Sequence, residues 1–229
     1  MSGAVLLCLA LLFPLGFLSR KVQSLEIEVL GLKPAFWLSA PGTVLHELSH
    51  YLACLLTGVK VEKLVLFSPQ AAEGGKYTLG YLRHQTPGFW GRLLIGPAPF
   101  FGVSGVFCLL LFWLLPGFQP GGGIFSGLRS LFFRLDFTSA PTWLLVYLAL
   151  ALLPGASPSR EDWRDYSWGW LLLLLGGLAL PFFNRGRLGA MIAGFFSFLN
   201  AGLVLSLGGL ALAWGFLRLL KLLKAVSRA

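Results

Sequence analysis

Long apolar runs separated by short polar stretches dominate the chain. A helix needs about 20 mostly apolar residues to cross a bilayer. The pattern therefore predicts an all-α polytopic membrane protein with about six transmembrane helices and a small β-hairpin after the second span. The first run, residues 3–19, is interrupted by Pro14 and has no charged leader before it. It reads as a retained membrane helix rather than a signal peptide. Residues 24–30 alternate apolar and polar positions, the period of a short strand or interfacial segment. The second span covers about residues 34–57 and stops at Gly58. Residues 59–67 are rich in β-branched and apolar side chains, 68–75 are polar, and 76–82 read as a second strand. Together they predict a hairpin at the membrane surface. The third span, about residues 89–115, contains Gly96-Pro97-Ala98-Pro99, and its two prolines should break the helix. A Gly-rich loop with a short amphipathic piece, residues 124–137, follows. The last three spans are about residues 142–153, 168–183 and 192–217, with a basic tail of Arg218, Lys221, Lys224 and Arg228.

Composition supports the membrane reading. Of 229 residues, 56% are hydrophobic and 12% charged, against about 25% charged in an average soluble domain. This fits a single membrane-embedded domain over residues 1–229. The net charge of +9 raises nucleic acid as a partner. No basic run with interleaved aromatics appears, so no nucleic-acid partner is expected. The cations flank apolar spans, the usual arrangement for a protein in a lipid bilayer. With six spans, 11 Lys and Arg fall on the hairpin side and 7 on the other. That bias predicts an inner-membrane protein with both termini cytoplasmic. Cys8, Cys54 and Cys108 all lie in apolar runs and read as small buried hydrophobes.

Within the second span stands His46-Glu47-Leu48-Ser49-His50. Positions i and i+4 share a helix face, so His46 and His50 can offer their imidazoles to one metal ion, with Zn2+ the first choice. Glu47 lies close enough to take a proton from a water activated by that metal, the role of a general base. Ionisable groups inside a membrane helix are functional by default. Pro41-Gly42, one turn earlier, can open the helix to water or be an ordinary membrane proline. His84, outside this helix, reads as a loop histidine. A catalytic zinc takes three protein ligands, and the third must come from elsewhere. Glu161, Asp162 and Asp165 emerge after span four on the side where span two ends. Asp162 is the choice, because Pro154-Gly155 and Pro158 let the chain turn back inward; Glu161 is the alternative. Ser159-x-x-Asp162 also reads as a helix-capping box.

These features together resemble the site-2 protease family of membrane-embedded zinc metalloproteases. The resemblance rests on the H-E-x-x-H helix, the hairpin after it and Gly96-Pro97 in the next span, and spans about residues 34–165. It implies a metalloendopeptidase acting on membrane proteins or peptides in or near the bilayer, with His46, His50 and a later carboxylate as metal ligands. The family pattern places an Asn after Gly-Pro and an Asp-Gly in a later span. Phe100 stands at the Asn position, and the chain has no Asp-Gly. The competing readings are a non-catalytic membrane protein with a structural or transport-related metal site, and a membrane scaffold with a fortuitous motif.

Overall fold

A computed structural model describes residues 2–68, 70–71, 77–114, 129, 133–159, 161–164, 168–172, 175 and 187–226. The chain is largely helical. Helix α1 (Ser2–Leu30) leads through Gly31 into α2 (Leu32–Leu56). Gly31 has φ 93°, a left-handed conformation that glycine adopts without steric strain, and it makes the reversal possible in one residue. Residues 24–30 are helical, not extended. Val22, Leu25 and Val29 are buried at i, i+3 and i+7. This helical stripe outweighs the local two-residue alternation.

Among the described residues, four helical stretches are long and apolar enough to cross a membrane: Val5–Leu30, Phe89–Leu114, Ala140–Arg164 and Gly194–Val226. They are compatible with a multi-pass membrane protein, and six spans are not found among the described residues. Helix α2 has the length, at 25 residues, but Ser39, Thr43, His46, Glu47, Ser49 and His50 lower its hydropathy. Most of the fifth expected span, 173–174 and 176–183, lies outside the described residues. So do most of the Gly-rich loop and the amphipathic piece. The third span is broken as expected, into α3 (Phe89–Ile95) and α4 (Ala98–Leu114). Helix α5 (Ala140–Leu152) runs into a 3-10 turn (Leu153–Ala156), and α6 (Arg187–Val226) closes the bundle.

The core lies between α1, α4, α5 and α6, where Leu15, Phe100, Phe107, Leu145, Leu199 and Leu203 are fully buried. Outward-facing side chains are also apolar: Phe13, Leu109 and Trp113 are exposed by 61%, 70% and 75%. Such a surface is stable against hydrocarbon and costly in water. Helix α6 packs along α1, and its end meets the end of α1. Lys221 pairs with Glu28, and the Lys224 ammonium donates to the Val29 carbonyl at 2.8 Å. Lys221 and Lys224 thus lie at the α1–α2 turn, away from where α2 ends. The Lys and Arg count that placed both termini together assigned them to the hairpin side, so that orientation loses its basis.

Strand β1 (Val61–Val65) pairs antiparallel with β4 (Tyr81–His84), with an irregularity between Val61 and Lys63. Strands β2 (Gln70–Ala71) and β3 (Tyr77–Thr78) extend the same hairpin. It folds back along α2, and the Phe67 ring lies 5.4 Å from Trp37, nine residues before His46. Its apolar face drives this return: Val61 and Leu82 pack on Ala53, Cys54 and Ile95. The three cysteines are free, and Cys8 and Cys54 are buried as expected.

Candidate metal centre

The two motif histidines lie side by side on α2, with His46 Nε2 and His50 Nε2 3.2 Å apart. Each ring is fixed through its other nitrogen. His46 Nδ1 meets the Gly155 carbonyl at 2.7 Å, and His50 Nδ1 meets the Ile95 carbonyl at 2.8 Å. A carbonyl oxygen can only accept, so both Nδ1 atoms carry the hydrogen and both Nε2 atoms of the neutral rings present lone pairs.

Both carbonyls are available because prolines leave them without a helical donor. Four residues after Ile95 stands Pro99, which has no N–H. Three residues after Gly155 stands Pro158, and the next N–H, of Ser159, is turned to Asp162 Oδ2 at 2.7 Å. The sequence pointed to these prolines as helix breakers. Their second effect is to free the carbonyls that orient the histidines.

Asp162 completes the group. Its Oδ1 lies 3.1 Å from His50 Nε2 and its Oδ2 3.5 Å from His46 Nε2. The capping box is also formed: the Asp162 N–H donates to Ser159 Oγ at 3.0 Å. The two readings of Asp162 are compatible. Capping holds the carboxylate while the same carboxylate faces the histidines, the kind of outer hydrogen bond that orients metal ligands. Asp162 and His50 are 5% and 6% exposed. Glu161 is exposed, though it borders the adjoining cavity. Asp136 lies elsewhere, bonded to Thr138 at the start of α5. Asp165 is outside the described residues.

His46, His50 and Asp162 form a group that can hold a metal ion. Two imidazole lone pairs and a carboxylate converge, all acceptors when the rings are neutral. A tetrahedral ion with bonds of about 2.0–2.2 Å separates its ligand atoms by roughly 3.3 Å. The two imidazole nitrogens, 3.2 Å apart, match that spacing, and one ligand atom from each of the three residues lies within 4.8 Å of the others.

Glycines allow the close approach. A Cβ on Gly42 would lie 2.3 Å from the Ala151 carbonyl oxygen, and one on Gly155 would lie 2.5 Å from that of Gly42. The Pro41-Gly42 pair thus serves contact between α2 and the 3-10 turn, which places the Gly155 carbonyl at His46. On the opposite wall, a Cβ on Gly80 would lie 2.9 Å from Glu47 Cγ. The hairpin therefore passes directly over the motif glutamate.

A cavity of about 510 Å³ adjoins the group, with Glu47 in its wall and Gly80 and β4 along one side. His84, read from sequence as a loop histidine, is thus a strand residue at this cavity. Nothing in the H-E-x-x-H spacing could have found it. Phe100 does not line the cavity. It is fully buried, with its ring 6.2 Å from Trp170. Trp170 in turn stacks at 5.2 Å on Trp163, the neighbour of Asp162.

No family model, curated protein or solved structure matches the chain.

Proposed function

We propose that the protein is a membrane-embedded zinc metalloprotease. The observation that carries this reading is the convergence of His46, His50 and Asp162, with ligand atoms within 4.8 Å of one another, beside a cavity whose wall includes a further carboxylate, Glu47. Zinc takes two imidazoles and one carboxylate and keeps its fourth position open for water. Bound there, zinc supplies Lewis acidity, polarising a carbonyl and lowering the pKa of a water towards ~7.

The chain's own residues do the rest. Glu47 takes a proton as the water oxygen bonds to the carbonyl carbon. The carbon–nitrogen bond then breaks, and Glu47 returns the proton to the leaving amine. The Gly155 and Ile95 carbonyls hold the histidine rings so that neither nitrogen needs to turn during the reaction.

The substrate is a membrane protein or peptide segment in extended form. Residues 59–67, rich in β-branched side chains, are one candidate strand to receive it. The geometry favours β4 instead. In the β1–β4 pair only one edge of β4 is bonded to β1, and β4 lies along the cavity. An added strand there would gain main-chain hydrogen bonds next to the metal group.

The test is Glu47→Gln in purified protein. Zinc should remain near one per chain while cleavage of fluorescein-labelled casein falls ~10²–10⁴-fold, the usual share of general-base catalysis. Zinc retained with no cleavage by the wild type of either casein or detergent-extracted membrane proteins would favour a non-catalytic metal site.

A further inference from the structure

We propose that a second cavity at His46 is a substrate subsite, in which Glu26 selects a basic side chain. This rests on the metalloprotease reading above. The cavity, of about 320 Å³, lies between α1, α2, α5 and α6 and reaches His46 and Gly155. Its polar lining comes from two stripes. Ser19, Gln23 and Glu26 stand at i, i+4 and i+7 on α1, and Ser39, Thr43 and His46 repeat that spacing on α2. The spacing puts each set on one helix face, and the reversal at Gly31 turns the two faces together. Gln23 Nε2 donates to Ser39 Oγ across them at 3.3 Å.

This lining favours a cation. Ser39 Oγ donates back to the Ala35 and Phe36 carbonyls, and Thr43 Oγ1 donates to the Ser39 carbonyl at 3.2 Å. Both hydroxyl hydrogens are spent on their own helix, so the oxygens are left as acceptors. Glu26 is the only carboxylate among the described lining residues, and none of them is Lys or Arg. It has no hydrogen-bond or ion-pair partner among the described residues. Nearby lysines are engaged elsewhere: Lys21 lies 5.7 Å over the Phe17 ring, Lys221 pairs with Glu28, and Lys224 donates to the Val29 carbonyl. A part-buried carboxylate in a membrane span is costly without an opposite charge. An ammonium or guanidinium carries that charge and only donates.

The hairpin joins this cavity to the one beside Glu47. Gly80 lines the cavity with Glu47, and its neighbour Leu79 lines the cavity with Glu26. The Leu79 carbonyl accepts from the Ser68 N–H at 2.6 Å, so the hairpin is still paired there. A substrate strand added to β4 therefore continues past Gly80 and Leu79 towards Glu26. Glu26 stands three residues from Gln23, and Ser39 seven from His46, so about 15 Å of helix separates the carboxylate from the metal group. An extended chain rises about 3.3 Å per residue, which puts the selected cation about three to five residues from the bond cut.

The experiment maps cleavage sites. Full-length protein in detergent digests casein, and mass spectrometry reads the new peptide ends. In the wild type, Lys or Arg should be enriched about fivefold at one position in that range, the upper worth of a partly exposed ion pair. Glu26→Gln should lose the preference with zinc still near one per chain. Glu26→Lys should replace it with a preference for Asp or Glu at the same position. Unbiased wild-type sites, or a bias unchanged in Glu26→Gln, overturn the assignment and leave the metalloprotease reading standing. Equal slowing at every site in Glu26→Gln, the mark of a water path, also overturns it. So does loss of zinc in Glu26→Gln, the mark of a structural carboxylate. Zinc-loaded wild type that cuts neither casein nor detergent-extracted membrane proteins would instead remove the metalloprotease reading, and this proposal with it.

Discussion

Pro99 stands four residues beyond Ile95 and has no N–H to give its carbonyl; His50 Nδ1 fills that place at 2.8 Å. A helix break in one element thereby fixes the tautomer of a histidine in another. Pro99→Ala restores the missing donor. Its N–H should compete for Ile95 and loosen His50, weakening zinc binding by ~10–100-fold, as loss of outer-shell partners does. Competition against a fluorescent chelator measures this, and unchanged affinity would sink the argument.

The ligand set makes a sharper demand. Removing His46, His50 or Asp162 as Ala should take zinc from about one per chain to near zero in metal analysis of detergent-purified protein. Glu161→Ala should leave it bound, because Asp162 faces both imidazoles and Glu161 is exposed. Zinc lost with Glu161 and kept without Asp162 would reverse the assignment.

Gly80 separates binding from turnover. A Cβ there would lie 2.7 Å from the Leu66 carbonyl oxygen and 2.9 Å from Glu47 Cγ, so Gly80→Val must push the hairpin or the glutamate aside. Zinc content should be preserved while casein cleavage drops by at least ~10-fold, since small misplacements near the reacting groups are costly. Wild-type cleavage in Gly80→Val would mean that the hairpin does not bear on Glu47.

Asp136 offers a test remote from the centre. It accepts from the Thr138 N–H at 2.9 Å and from Thr138 Oγ1 at 2.6 Å, and these bonds hold its carboxyl below the usual range. A depressed folded pKa adds stability above the unfolded value and loses it as pH falls through the folded one. Asp136→Asn should lower the melting temperature slightly at pH 7, with the gap closing in acid below the carboxylate range. A gap that widens in acid would contradict the sign.

The sequence by itself determined the elements whose signals are local. Apolar runs mark helices because each must cover its own backbone in hydrocarbon. The i, i+4 histidines share a face through helix geometry alone. Two prolines broke the third span where expected. Asp162 was reachable because Pro154-Gly155 and Pro158 allow the chain to turn inward. What tertiary structure decided depends on distant groups. The capping and metal-facing readings of Asp162 were rivals in sequence, and packing against α2 makes them one arrangement. Residues 24–30 alternate like a strand, but their neighbours bury them as a helix. The hairpin runs along α2 because its apolar face meets Ala53, Cys54 and Ile95. Which strand borders the centre, and that His84 stands on it, follow from that docking. No spacing within a strand can encode them, since a strand's alternation fixes two faces and only the surface it packs on decides which is inside.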